Sequence, residues 1–240
     1  MLSYNNLKDN AREFLAATGL TAAEFEQLLP TFQATYEKTY PPELTQAAQP
    51  RQRQVGGGAK GALPLMENKL LFLLVYQKTN PLQTMHGLQF DLSQPQANFW
   101  IHRLLPVLKQ TLRDLGQAPE RDASLVAESS LALAGGANLT IDGTERRRQR
   151  PQDKAKQKEH YSGKKKTHTD KNILLVNENT KQVVYLSPTV VGKTHDKKAT
   201  DDVQIAYPIN ATLSKDTGFQ GYEPAASLNT QPKKSPKAKS

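Results

Sequence analysis

The spacing of apolar residues divides the chain into a helical first part and a strand-rich second part. Between residues 9 and 36, apolar side chains recur every three or four positions, which is the period of an amphipathic helix. Thr21 followed three residues later by Glu24 has the form of a capping box, which predicts a helix at about 21–36. Residues 1–40 are therefore predicted to form N-terminal helices. Residues 41–63, which are rich in Pro, Gln and Arg and include Gly56-Gly57-Gly58, are predicted to be a linker or an extended arm.

A helix-turn-helix domain is predicted within residues 64–118. The helical pattern occupies three segments, at about 65–77, 82–88 and 94–115. Ser93 is a suitable cap for the last helix, and Pro95 lies in its first turn, where a missing backbone N–H costs little. A short helix, a tight turn and a longer helix are typical of DNA-binding domains, although a plain helical bundle has the same pattern.

The second part of the chain predicts an α/β domain at about 131–225. Four β-rich segments are found, at Leu139–Ile141, Asn172–Asn177, Gln182–Leu186 and about 210–215, and a helix is predicted to begin after Thr194-His195-Asp196. Residues 177–180 are expected to form a hairpin loop. The predicted fold class is thus α+β and multi-domain, with a basic disordered tail at 226–240.

Composition excludes several classes of protein. The chain has no cysteine, so disulfides, zinc-binding thiolates and a thiol nucleophile are excluded. No signal peptide or membrane segment is predicted, and we expect a cytoplasmic protein. The net charge of +9 is placed asymmetrically: residues 1–130 carry 12 Lys/Arg and 12 Asp/Glu, whereas residues 131–240 carry 20 and 11. This asymmetry indicates that the second part contacts nucleic acid, although a solvated basic tail with four lysines in its last ten residues would raise the charge as well.

Two aspartates are the candidates for chemistry. Asp142 and Asp216 each follow a short apolar strand and precede a Gly, and each is predicted to lie at a turn. Asp-Gly is also a common turn dipeptide, so either residue alone has a structural explanation. Together, carboxylates on separate strands are what a magnesium-dependent phosphoryl-transfer site requires. Asp196 is a further candidate metal ligand, although Thr194 or Asp196 could simply cap the predicted helix.

Candidate DNA-binding residues form two groups. Between the two aspartates lies a run with 11 Lys/Arg and three acids over residues 146–171, which would contact phosphates through Arg146, Arg147, Arg148, Arg150, Lys164, Lys165 and Lys166. The polar residues in the first half of the predicted recognition helix are Gln94, Gln96, Asn98, His102 and Arg103, whose amide and guanidinium types can read base edges. Phe99, Trp100, Leu104 and Leu108 are predicted to belong to the core.

In their order along the chain, several motifs resemble those of DDE-type transposases of bacterial insertion sequences. Such proteins join an N-terminal helix-turn-helix to a ribonuclease H-like catalytic domain. The resemblance runs from about residue 51 to the C-terminus and is carried by Gly56-Gly57-Gly58, Asn68–Leu71, Trp100–Arg103, Asp142–Glu145, Gln149–Pro151, Tyr161–Lys165, Gly192 with His195–Lys197, and Asp216–Gly221.

The resemblance implies roles for the acids. Asp142 matches the first catalytic acid and Asp216 the second, with Asp196 as the alternative second acid. In the complete enzyme they would hold two Mg²⁺ or Mn²⁺ ions. The family's third acid, a Glu on a later helix, has no match before Ser240, since Glu223 follows Asp216 too closely. We therefore expect an incomplete ribonuclease H-like domain with little cleavage activity of its own.

The implied function is that of a transposase that binds the terminal repeats of its element and double-stranded target DNA, then cuts and joins strands. A second copy of the chain or the product of a second reading frame is an expected partner. The alternative is a non-catalytic DNA-binding protein, such as a repressor derived from a transposase. An RNA-binding module is less favoured, because no aromatic stacking motif accompanies the basic run.

Overall fold

The structure is a computed structural model and describes residues 1–44, 49–50, 63–224 and 228–230. It divides the chain into two compact units, Met1–Leu115 and Gly116–Ser240. Gly56-Gly57-Gly58 and most of the predicted linker lie outside the described residues, as does the predicted basic tail apart from residues 228–230.

The first unit is helical. Its helices are α1 Tyr4–Leu7, α2 Ala11–Thr18, α3 Ala22–Thr39, α4 Met66–Thr79, α5 Gln83–Gln89 and α6 Gln94–Asp114. The predicted capping box at the start of α3 is confirmed, because the side chains of Thr21 and Glu24 each accept a hydrogen bond from the other's backbone N–H. Ser93 caps α6 in the same reciprocal way with Gln96.

One hydrophobic core joins helices α1 to α4 and α6 of the first unit. Helix α4 supplies its centre, since every residue from Leu70 to Val75 is buried. A helix that is apolar on all sides must be surrounded by other elements. Phe14 and Phe25 from the N-terminal helices and Phe90 from the turn before α6 belong to this core. The segments predicted at 1–40 and 64–118 therefore fold around a shared interior.

The second unit is built around a mixed sheet. Its strands are β1 Asn138–Arg147, β2 Tyr161–Ser162, β3 Thr167–Asn177, β4 Val183–Leu186, β5 Val190–Val191, β6 Thr212–Lys215 and β7 Leu228–Thr230. Its α-helices are α7 Ser130–Leu133, α8 Lys154–His160 and α9 Asp196–Asp201. All four predicted strands and the predicted helix after Asp196 are thus present. The turn at 178–180 joins β3 to β4, as predicted for the hairpin loop.

The sheet has the order β2-β3-β1-β6-β7, with β4 and β5 also paired to β3. Strands β1 and β3 are antiparallel, whereas β6 and β7 run parallel to β1. This mixed sheet, behind a helical first unit, confirms the α+β class and accords with the ribonuclease H-like expectation. Residues 228–230 were predicted to be disordered, and that prediction is wrong because they pair with β6.

No helix among the described residues is both long and apolar enough to cross a lipid bilayer.

Candidate functional site

Asp142 and Asp216 are brought together by the parallel pairing of β1 with β6. The last register pair is Ile141 with Lys215, and each aspartate is the next residue along the chain. Neighbouring strands lie about 4.8 Å apart, so the two aspartates occupy adjacent positions at the end of β6. The sequence prediction that both acids meet at one sheet edge agrees with this register.

The two aspartates also lie on the same face of the sheet. Side chains alternate between the faces of a strand, and Leu139 and Ile141 on β1 are buried, so Asp142 lies on the opposite face. Leu213 and Lys215 on β6 are likewise buried, which assigns Asp216 to the face of Asp142. Both aspartates are exposed to solvent. Two exposed carboxylates therefore lie side by side.

The predicted turn at Asp142-Gly143 is wrong. Strand β1 continues to Arg147, and Asp142 pairs with Leu174 of β3. The strand extends because nine consecutive register pairs with β3 hold it, although the sequence after Ile141 is polar. At Asp216, by contrast, β6 does end, and Oδ1 of Asp216 accepts a hydrogen bond from the N–H of Gly218 at 2.7 Å.

Asp196 lies close to both candidate acids. It is the first residue of α9, and its Oδ1 forms an ion pair with Nζ of Lys171 at 2.8 Å. A Cβ atom on Gly143 would lie 2.6 Å from Oδ1 of Asp196, and one on Gly218 would lie 3.1 Å from its Oδ2. The carboxylate thus fits between two glycines that flank the candidate acids.

No side chain caps α9. Its N-cap residue is His195, and no side-chain hydrogen bond is made there, so the capping role considered for Thr194 or Asp196 is wrong. The carbonyl of Thr194 instead accepts a hydrogen bond from Lys171 at 2.7 Å. Asp196 is held by charge rather than by the helix end.

Lys171 and Glu145 form a buried pair that the sequence analysis missed. Their side chains are each 7% exposed, and Nζ of Lys171 lies 3.6 Å from Oε1 of Glu145. Burial alone would raise the pKa of Glu145. Hydrogen bonds from Ser162 and Thr169 and the positive charge of Lys171 together lower it by more, so the pKa lies below its usual value. Lys171 had been counted in the DNA-binding run. Its position two residues before the buried Ile173 on β3 is the signal that it faces inward.

The donor set at Asp142 and Asp216 suits a divalent cation, since carboxylate oxygens are preferred by Mg²⁺ and Mn²⁺. Within the described parts of the chain, no group of three or more His, Asp or Glu side chains is arranged to hold a metal ion. Asp196 is engaged by Lys171, and the carboxylate of Glu223 lies 3.4 Å from Nζ of Lys215.

All seven candidate phosphate-binding residues of the basic run are exposed, but three of the arginines also contact other side chains. Arg147 and the turn residues Lys164, Lys165 and Lys166 are exposed. Arg146 donates to Asn172 and Thr189, at 2.8 and 3.3 Å. Three further arginine contacts are those of Arg148 with Asp170 at 3.0 Å and with His160, and of Arg150 with Gln157 at 2.9 Å. Helix α8, which carries three lysines, lies in the middle of this run and was not predicted.

The predicted base-reading residues of α6 differ in their surroundings. Gln94 and His102 are exposed, and Gln96 is exposed while completing the helix cap. Gln94 and Asn98 both donate to Oε1 of Gln83 on α5, at 2.8 and 3.1 Å. These contacts tie the two helices of the helix-turn-helix together.

Arg103 is half-buried and packs against two tyrosines of the first unit. Its guanidinium carbon lies 3.5 Å from the ring centroid of Tyr40, and its Nε donates to the hydroxyl of Tyr36 at 3.2 Å. Of the predicted core residues of α6, Leu104 and Leu108 are buried, whereas Phe99 is 41% exposed. The core prediction for Phe99 is therefore wrong.

Comparison with known proteins agrees with this architecture. Residues 62–114, which contain α4 to α6, match the family model described as helix-turn-helix of DDE superfamily endonuclease. Residues 141–239 match the model of the DDE superfamily endonuclease. The chain is 24% identical over 225 residues to the probable transposase for insertion sequence element IS702 of Microchaete diplosiphon, covering 93% of this chain and 75% of that protein.

No solved structure matches the chain. One family model nevertheless falls within each compact unit, and the two occur in the order that the sequence motifs imply. The chain therefore belongs to the DDE-type transposases of insertion sequences, with an N-terminal helix-turn-helix followed by a DDE endonuclease domain.

Proposed function

We propose that this protein binds the ends of its element and that Asp142 and Asp216 of its second unit are two of the acids with which its family cuts and joins DNA strands. The observation that carries the proposal is the register of β1 and β6, which makes the two exposed carboxylates neighbours on one face. Asp216 is preferred to Asp196 as the second acid because Asp196 is paired with Lys171.

Mg²⁺ or Mn²⁺ held by these carboxylates would supply activated water and stabilise the leaving oxygen. Asp142 and Asp216 would provide the oxygen ligands, and Lys171 would keep Asp196 in place between Gly143 and Gly218. The exposed basic residues Arg147 and Lys164–Lys166 would bind the phosphate backbone without regard to sequence. Salt-dependent affinity should therefore belong to the second unit.

In the first unit, α6 would enter the major groove with its N-terminal half. Gln94, Gln96 and His102 are the exposed candidates for contact with bases. Asn98 would act with Gln83 to orient this end of the helix. Arg103 is assigned to the packing of the unit rather than to base reading.

The metal site can be tested by titrating Mn²⁺ into the full chain and following its electron paramagnetic resonance signal. We expect Asp142→Asn and Asp216→Asn each to weaken Mn²⁺ binding at least tenfold. Asp153→Asn is the matched control, because Asp153 caps α8 and an Asn side chain can make the same hydrogen bond. Its Mn²⁺ affinity should equal that of the wild type.

Cleavage is measured in parallel on DNA that carries the ends of the element. Nicking that requires both Asp142 and Asp216 supports the proposal. Mn²⁺ binding that is unchanged by Asp142→Asn contradicts it and favours the alternative, a non-catalytic DNA-binding protein. A larger loss in Asp196→Asn than in Asp216→Asn would move the second acid to Asp196.

A further inference from the structure

A basic cleft lies in the second unit, apart from the two candidate acids. Its volume is about 820 Å³, and it opens between α8, the start of β3 and the loop after β5. Four cationic side chains line it, those of Arg150, Lys154, Lys158 and Lys193, together with the rings of Tyr161 and His168. The described residues that line it include no carboxylate.

The positive charge of this cleft is not neutralised from within its wall. Arg150 donates a hydrogen bond to the amide oxygen of Gln157, a neutral group, at 2.9 Å. Lys154, Lys158 and Lys193 are exposed. Clustered cations in a concave surface concentrate the field and attract a polyanion. Phosphate groups are the ligands that such a wall would bind.

An aromatic ring stands among these cations. Tyr161 is 46% exposed, and its ring meets that of His168 at 72° with the centroids 5.7 Å apart. Rings at this angle are not stacked on each other. A nucleic-acid base can therefore stack on Tyr161 while the lysines hold the adjoining phosphates, which is how proteins bind single strands.

The volume of the cleft indicates how much nucleic acid it can hold. Its volume is within the range of pockets that hold small organic ligands, roughly 300–1,000 Å³. One or two nucleotides fit such a space. Bases inside a duplex are stacked on their neighbours, and a base must leave that stack before it can meet a side-chain ring.

The cleft is separate from the acid pair. The N–H of Arg148, at the end of β1, donates to the carbonyl of His168 in the cleft wall. Asp142 lies six residues earlier on β1, which corresponds to about 20 Å of extended strand. A DNA strand that passes from one site to the other would span several nucleotides.

We propose that this cleft binds an unpaired segment of DNA, with a base stacked on Tyr161 and phosphates held by Lys154, Lys158 and Lys193. The inference rests on the proposed function, because it takes the second unit to act on DNA. The cleft would give a second contact to the DNA strand whose phosphodiester lies at Asp142 and Asp216. It would also distinguish an opened DNA end from an intact duplex.

The test measures binding of the full chain to fluorescein-labelled oligothymidine of 12 nucleotides and to a 20-base-pair duplex, by anisotropy, in EDTA. Tyr161→Ala should weaken oligothymidine binding at least fivefold and change duplex binding less than twofold. Tyr161→Phe keeps the ring and should bind like the wild type. Melting curves of both variants check that the second unit remains folded.

The contribution of the cleft lysines is measured separately, from the salt dependence of oligothymidine binding. Lys158→Ala combined with Lys193→Ala should reduce the slope of log affinity against log salt for oligothymidine by about 1.4, or 0.7 for each lost contact. Lys198→Ala, an exposed lysine of α9 outside the cleft, should leave the slope unchanged.

Three results would overturn the inference: equal oligothymidine binding by Tyr161→Ala and wild type, an equal loss for oligothymidine and duplex, or tighter binding of oligouridine than of oligothymidine. Because these measurements contain no metal, they fail or succeed independently of the Mn²⁺ titration that tests the acid pair.

Discussion

Nζ of Lys171 lies 2.8 Å from Oδ1 of Asp196, and this ion pair joins the middle of β3 to the first turn of α9. The same ammonium group donates to the carbonyl of Thr194 and lies 3.6 Å from Glu145. The buried ammonium group of Lys171 therefore holds the carboxylate of Asp196 beside Gly143 and Gly218, the two glycines that flank the candidate acids. The position of α9 on the sheet depends on it.

Replacing Lys171 with Met should destabilise the second unit by about 3 kcal/mol, because a buried pair that loses one partner leaves an uncompensated charge. Native-state hydrogen exchange of the β3 amides, such as that of Leu175, measures the loss. Adding Asp196→Asn to Lys171→Met should restore part of the stability, since it removes one of the stranded carboxylates.

The control for this prediction is Lys197→Met. Lys197 pairs with Asp201 one turn later on α9, but the two side chains are 37% and 44% exposed. Exposed pairs of this kind contribute about 0.5 kcal/mol or less. A similar loss in both variants would show that the burial of Lys171 is not what matters.

The stability of the first unit should fall in mild acid because of His86. This side chain is fully buried among the rings of Phe72, Tyr76 and Phe90, and burial lowers its pKa below the usual 6.5. Between the folded pKa and 6.5 the unfolded chain binds a proton that the folded chain does not. The stabilisation is thus complete above pH 6.5 and is lost as the pH falls below it.

Urea unfolding at pH 7.5, 6.0 and 5.0 tests this dependence, with the fluorescence of Trp100 as the probe. Trp100 is the only tryptophan and lies on α6, so it reports on the first unit. His86→Leu should flatten the change in stability between pH 7.5 and 5.0. A pH dependence that persists in His86→Leu would assign the effect to another group.

Arg103→Ala should destabilise the first unit by about 1–2 kcal/mol, because it removes the contact with the Tyr40 ring and the hydrogen bond to Tyr36. Trp100 fluorescence during urea unfolding gives the value. His102→Ala, at the exposed neighbouring position, should change stability by less than 0.5 kcal/mol and should weaken binding to element ends instead. Wild-type stability in Arg103→Ala would return Arg103 to the DNA-binding surface.

Local signals in the sequence were sufficient where a short motif decides the structure. The capping box of Thr21 and Glu24 and the Ser93 cap each involve side chains three residues apart, and both helices begin where predicted. The turn at 178–180 was also predicted correctly. The side-chain oxygen Oδ1 of Asn177 accepts hydrogen bonds from the backbone N–H groups of Asn179 and Thr180.

Signals that depend on distant partners were missed. The polar second half of β1 reads as a turn and a basic run, yet pairing with β3 holds it extended as far as Arg147. Lys171 and Arg103 were assigned to DNA because of their charge, but Glu145, Asp196 and the tyrosine rings that surround them come from other elements. Periodicity within one segment carries no information about these contacts.

Asp142 and Asp216 are 74 positions apart in the sequence and become neighbours only when β6 is added alongside β1. Closing a loop of this length costs chain entropy, and pairings between distant segments slow folding. A nascent chain that has been synthesised only as far as α9 already contains the helix-turn-helix and one acid, but no acid pair. The proposed DNA-binding segment is thus synthesised before the proposed cutting site is complete.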